Sequence, residues 1–142
     1  MATQQHCADL VMQLSAFSVV RRGITRVLPP DCPPAAIGVL ALLHHTGDMR
    51  MSHLAERLGI DISVTSRHVA HLCVRGWIDR LPDPGDGRSR ILRITPEGKQ
   101  ALEGAQDMCA AALAAHLKDW SDDDVAALTT LLGRLRKSFE RS

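Results

Sequence analysis

Apolar residues recur every three or four positions along most of this chain, and the pattern changes only once. Leu10, Val11, Leu14, Phe17, Val20, Ile24 and Val27 predict one helix from Asp9 to about Leu28. Its polar face carries Arg21, Arg22 and Arg26, either as solvated cations or as groups that approach a polyanion. Pro29, Pro30, Pro33 and Pro34 must interrupt that helix, yet they suit the opening of the next, where the first amides lack partners in any case. The next helix is expected from about Ala35 to His45, closing near Gly47, with a short strand over Met49 to Met51.

A compact helix pair follows. Ser52 to Leu58 places Leu54, Ala55 and Leu58 on one stripe, and Gly59 supplies a turn. Asp61 is a suitable N-cap for a helix running from Ile62 to Arg75, with Ile62, Thr65, Val69 and Leu72 expected inward. The opposite face shows Ser63, Ser66, Arg67 and Ala70, short side chains plus one guanidinium, with no carboxylate after Asp61.

Beyond Gly76 the period shortens to two. Trp77 to Leu81 and Ile91 to Ile94 read as strands, joined by a loop from Pro82 to Arg90 that is dense in turn-forming residues. The expected hairpin carries Arg88 at its tip, with Asp86 placed to hold the guanidinium. Thr95 then caps, and Pro96 opens, an Ala-rich helix expected to reach about Trp120. Ser121 and the carboxylates of Asp122, Asp123 and Asp124 begin a last helix, striped by Val125, Leu128, Leu131, Leu132, Leu135 and Phe139. The fold class is therefore mainly α with a small β-hairpin wing: a winged helix-turn-helix with N- and C-terminal dimerisation helices. One domain spans residues 1–142. Residues 33–95 form the winged element, and residues 1–32 and 96–142 form the helical dimerisation region.

Charge sharpens this picture. The chain carries a formal +1 overall, but residues 50–93 hold eight Arg against five acidic residues. That local surplus lies on the element shaped to enter a DNA groove. The residues expected to contact double-stranded DNA are Ser63, Val64, Ser66, Arg67 and His71 on the second helix of the pair. On the wing they are Asp86, Arg88 and Arg90. A winged helix used for protein contacts is the alternative.

Nothing reads as a signal peptide, and no apolar run reaches the ~18 residues of a membrane span, so a cytoplasmic protein without a membrane partner is expected. The cysteines, Cys7, Cys32, Cys73 and Cys109, show no CxxC spacing, consistent with reduced thiols. No nucleophile elbow, phosphate loop, HExxH or dinucleotide turn occurs, so neither catalysis nor a cofactor is expected.

Three signatures, taken together, make the chain similar to the MarR family of bacterial transcriptional regulators. They are Leu54-Ala55-Glu56-Arg57-Leu58-Gly59-Ile60, the wing pattern Asp83-x-x-Asp86-x-Arg88, and Leu92-x-Ile94-Thr95-Pro96-x-Gly98. The order and length of the expected helices fit across nearly the whole chain. One departure is Val64-Thr65, where such helices often read Thr-Val. The resemblance implies a homodimer that binds a pseudo-palindromic operator, as a repressor, with recognition helices in the major groove and wings in the minor groove.

The family also commonly binds small aromatic acids between its dimer helices and winged domain, which implies an effector site drawing on Arg21, His44 and Met108. Two branches imply other signals. A thiol-sensing branch holds an N-terminal Cys between tyrosines; Cys7 is near that place, but the chain has no Tyr. A zinc-responsive branch would draw on Cys32, His44, His45 and His116, although Leu43 replaces a Glu of its pattern and the long helix offers only Cys109 and His116. No metal site is expected outright, and a repressor with no effector is the remaining alternative.

Overall fold

The computed structural model describes residues 1–141, arranged as seven helices and three strands. In chain order these are α1 (Gln4–Ser15), α2 (Ser18–Thr25), α3 (Pro34–Thr46), β1 (Met49–Arg50), α4 (Met51–Leu58), α5 (Ile62–Val74), β2 (Ile78–Asp83), β3 (Asp86–Ile94), α6 (Pro96–His116) and α7 (Asp122–Glu140). The sheet is antiparallel in the order β1-β3-β2, with Met49 opposite Leu92 and Ile78 opposite Ile94.

The core sits inside the winged element. Val39, Leu40 and Leu43 of α3 pack with Leu54, Val69, Leu72, Ile78 and Leu92, and Leu102 of α6 closes the cluster. Helices α1, α2 and α7 contribute no buried residue. Their apolar stripes, including Val11, Val20, Leu131 and Phe139, lie open.

Left-handed glycines end both helices of the helix-turn-helix. Gly59 (φ 68) follows α4, where the Ile60 amide returns to the Ala55 carbonyl at 3.2 Å. Gly76 (φ 78) follows α5, where the Trp77 amide returns to the Leu72 carbonyl at 3.0 Å. Only a residue without Cβ adopts this backbone at little cost, which is why each helix stops where it does.

Several boundaries differ from the sequence expectation. The N-terminal helix is two helices: α1 starts earlier, because the Thr3 hydroxyl caps it by accepting from the His6 amide at 3.3 Å. It ends at Ser15, whose hydroxyl donates back to the Val11 carbonyl, and the Phe17 amide tightens onto the Leu14 carbonyl. Helix α6 stops at His116 rather than Trp120, because Leu117 (ψ 31) leaves the helical path and the Trp120 amide folds back onto its carbonyl. Ile62 is not inward; it is 54% exposed at the start of α5. Asp61 takes the extended N-cap backbone, but its carboxylate makes no capping hydrogen bond. Its carbonyl instead accepts both the amide and the hydroxyl of buried Thr65, each at 3.0 Å.

The junction between the winged element and α6 is tightly made. The Thr95 hydroxyl donates to the Gly76 carbonyl at 2.6 Å and accepts from the Gly98 amide at 3.0 Å. Gly98 is buried, and a Cβ there would run into the Trp77 carbonyl oxygen and stand 2.9 Å from Ile94 Cγ1. We therefore expect Gly98→Ala to destabilise the fold by about 1–3 kcal/mol or more, since backbone must move to admit the methyl. Denaturant unfolding at fixed protein concentration checks this, and an unchanged midpoint would contradict it.

Candidate nucleic-acid interface

Helix α5 rests on the core through Thr65, Val69 and Leu72, which leaves the rest of its circumference outward. Ser63, Arg67, Ala70 and His71 are exposed, whereas Val64 and Ser66 are half-buried at its flank. Val74 completes the outer face at 89% exposure. The expected DNA-reading residues of this helix thus share one side, except that His71 turns Nε2 toward the Asp31 carbonyl, 3.4 Å away.

The wing differs from the expected long loop. The strands run to Asp83 and from Asp86, so the turn is only Pro84-Gly85. Arg88 therefore lies on β3 rather than at the tip, and Arg90 lies two residues further along the same strand. Alternate residues of a strand share a face. That puts Arg90 in line with Leu92 and Ile94, which are buried, and Arg80 is paired across from Leu92; Arg88 lies in the irregular stretch between Asp86 and Arg90, where the pairing register shifts.

Two carboxylates shape this hairpin. Asp83 Oδ1 accepts the Gly85 amide at 2.9 Å, closing the turn, and its Oδ2 accepts Arg50 Nε at 2.7 Å. A second Arg50 nitrogen, Nη2, also reaches that oxygen, so the wing is pinned to the residue that precedes α4. The Gly85 amide and then the Arg50 guanidinium hold the Asp83 carboxyl below its ordinary value of 3.8. Asp86 does not hold the Arg88 guanidinium. Its Oδ1 accepts the Arg88 backbone amide at 3.0 Å and its Oδ2 accepts the Ser89 hydroxyl at 3.0 Å. It fixes the backbone from which Arg88 projects.

The eight arginines of residues 50–93 fall into two groups. Arg50 pairs with Asp83, Arg75 with Asp31 at 2.7 Å, and Arg93 with Asp48 at 3.0 Å. Arg57, Arg67, Arg80, Arg88 and Arg90 have no ion pair among the described residues. Arg67, Arg80, Arg88 and Arg90 lie on α5 and the wing, the elements that a duplex would meet, whereas Arg57 of α4 lines a cleft with Gly38 and Ala41 of α3 and Arg136 of α7.

The remaining candidates do not assemble. Met108 lines a cavity of about 250 Å³ with Pro29, Cys32, Arg75 and Trp77, while Arg21 lies exposed on α2 and His44 on α3, outside that lining. The His44 and His45 rings sit 5.1 Å apart, and His116 flanks a separate cleft beside Val20. Among the described residues no three His, Cys, Asp or Glu side chains come together as a metal site, so Cys32, His44, His45 and His116 do not form one within the chain. Burial first, and then Asp31, raise the Cys32 thiol above 9.0; burial does the same for Cys73. Both therefore stay protonated at neutral pH and are poor nucleophiles. Cys7 is exposed on α1.

An outward-facing helix set on a small helical core, followed by a hairpin that carries unpaired arginines, defines a winged helix-turn-helix, the fold of a DNA-binding regulator. Residues 33–89 match the MarR family. The HTH-type transcriptional regulator YxaD of Bacillus subtilis is 37% identical over 101 residues, 71% of each chain. The multiple antibiotic resistance protein MarR of Salmonella typhimurium is 30% identical over 108 residues, 75% of each. The fold also matches a mutant MarR from Escherichia coli solved in complex with operator DNA, with a TM-score of 0.68 and 22% identity, over 95% of this chain and 99% of that one. The chain belongs to the MarR family of transcriptional regulators, a family of regulators rather than enzymes.

Sequence reasoning noticed Asp83 only as a letter of the wing pattern and missed its pairing with Arg50, because no local spacing links residues 33 apart. The consequence for pH has a definite sign. A carboxyl held below its ordinary value stabilises the folded form above 3.8 and loses that contribution as pH falls through the lowered value. The Gly85 amide resonance should thus titrate with a midpoint below 3.8, and Arg50→Gln should move the midpoint upward. A midpoint that stays put in the variant would remove Arg50 from the anchor.

Proposed function

We propose that the protein is a repressor that binds a pseudo-palindromic operator as a homodimer and is released by a small organic acid. The observation that carries this reading is the division of the arginines. Three are neutralised in holding the fold, and five stand free on α4, α5 and the wing. Cations without a carboxylate partner weaken the folded state slightly and are retained where they meet phosphate.

In this reading α5 lies in the major groove, with Ser63, Val64, Ser66, Arg67 and His71 toward base edges. Arg88 and Arg90 follow the wing into the minor groove, with Asp86 fixing the Arg88 backbone. Residues 33–95 are the DNA-binding region. Residues 1–32 and 96–142 are the dimerisation region, because α1, α2 and α7 bury no residue among the described residues, their apolar stripes lie exposed, and a second copy is the economical cover. The complex of the E. coli relative with operator DNA supports the docking by analogy of fold. The effector would enter the cavity beside Met108, which Pro29, Cys32 and Trp77 also line. As a repressor the protein would act in the cytoplasm.

Two measurements test this reading. Light scattering should give a dimer at micromolar concentration, and a stable monomer would sink the assignment of the terminal helices. On a duplex selected from random DNA, Arg67→Ala should cost about 1–3 kcal/mol if it reads a base, mainly at one position per half-site. If it touches only phosphate, the loss should be uniform over sequences, with the salt slope shallower by about 0.9 for each phosphate that is no longer neutralised. Arg88→Ala should weaken binding while leaving the unfolding midpoint unchanged. Wild-type affinity in both variants would favour protein contacts instead.

A further inference from the structure

The last turn of the recognition helix is gripped from two sides. On one side Thr95 bonds the Gly76 carbonyl through its hydroxyl and the Trp77 carbonyl through its amide, at 2.6 and 3.0 Å. On the other, Asp31 in the connector between α2 and α3 accepts Arg75 Nη1 at 2.7 Å on its carboxylate, and its carbonyl faces His71 Nε2. Arg75 is further held over the Trp77 ring, 4.3 Å from its centroid. One connector arrives from α2 and the other leaves into α6. The two routes from the proposed dimer helices to the recognition helix therefore converge on residues 71–77.

The two grips differ in kind. Thr95 is buried beside Gly98 and cannot be loosened without disturbing the fold. The Asp31 and Arg75 side chains are 53% and 30% exposed, so their pairing can be removed while Thr65, Val69 and Leu72 keep α5 on its core.

We infer that Asp31 is a positioning residue that sets the half-site spacing the protein accepts. The inference rests on the dimeric, two-half-site reading above. In a two-fold dimer the separation of the recognition helices is fixed by the path from the dimer helices to each α5. Duplex DNA offers half-sites only in steps of one base pair, about 3.4 Å with an accompanying rotation, so a stiff path rejects a mis-spaced site and a slack one tolerates it. Removing the Asp31 grip leaves α5 on its core, with its exit at residues 71–77 held by the Thr95 grip alone. Tolerance to spacing should then widen.

The test uses the full-length protein and a duplex that wild type selects from random DNA, remade with the interval between half-sites changed one base pair at a time. Wild type should lose about tenfold in affinity per step, whereas Asp31→Asn should lose less than about threefold, with an unchanged salt slope because no phosphate contact is removed. Asp31→Glu should restore most of the steepness. Asp31→Asn combined with Arg75→Gln should be no flatter than Asp31→Asn alone, as expected for partners in one contact. Parallel spacing profiles for wild type and Asp31→Asn would overturn the inference. Uniform tightening at every spacing with an altered salt slope would overturn it too, by showing that Asp31 merely repels phosphate. A lowered unfolding midpoint with equal loss at all spacings would reduce Asp31 to a structural role. A wild type that selects single half-sites would instead remove the two-half-site reading, and that result appears before any variant is made.

Discussion

The arrangement of this molecule depends on one hydroxyl group. Thr95 Oγ1 donates to the carbonyl at the exit of the recognition helix and accepts from the third residue of α6, while the Thr95 amide holds Trp77. Each such hydrogen bond contributes only about 0.5–1.5 kcal/mol net, but leaving its buried partners unsatisfied would cost about 1–3 kcal/mol for each group. Gly98 makes the geometry possible, since any side chain would push α6 off the Trp77 backbone. From this point the direction of α6 relative to α5 follows, and with it the relation between the proposed dimer helices and the proposed recognition helix.

Electrostatics divides along the same boundary. Of the ion pairs that fasten the winged element, Arg50 with Asp83 joins the two outer strands β1 and β2, and Arg93 with Asp48 ties the central strand β3 to the residue before β1; both join segments distant in sequence. They order the wing more than they stabilise it, since exposed pairs contribute about 0–1 kcal/mol. Once the wing is ordered, Arg88 and Arg90 project from a defined strand, and the entropy of fixing that strand is not lost on docking.

Much of this was legible in the chain. Gly59, Gly76 and Thr95-Pro96 mark helix ends through backbone chemistry that acts within a few residues, and the structure ends and begins its helices there. The Ser121 and Asp124 capping box is likewise local, with its two hydrogen bonds at 3.0 and 3.2 Å. What escaped were competitions between near-equal options. The break between α1 and α2 lies where the Ala16 and Phe17 amides shift to carbonyls three residues back, and the outward turn of Ile62 depends on how α5 sits on α3 and α4. The apolar period counted Ile62 as core because spacing records a face and not where that face ends. The candidate interface was legible as residue types on a helix and a hairpin. The role of Asp86 was not, because the same motif allows it to hold either the side chain or the backbone of Arg88.

The stacking of Arg75 on Trp77 has an optical consequence. The chain has two tryptophans and no tyrosine, so near-ultraviolet emission comes from two known places. Trp77 lies under a guanidinium at the exit of the recognition helix, and Trp120 lies exposed between α6 and α7 at the far end of the long helix. A charge held 4.3 Å from an indole ring perturbs its excited state, whereas Trp120 reports on solvent and on whatever covers the terminal helices. The protein thus carries one native fluorophore at the exit of α5 and another at the far end of α6, and replacing either with phenylalanine would let the two ends be watched separately in the same solution.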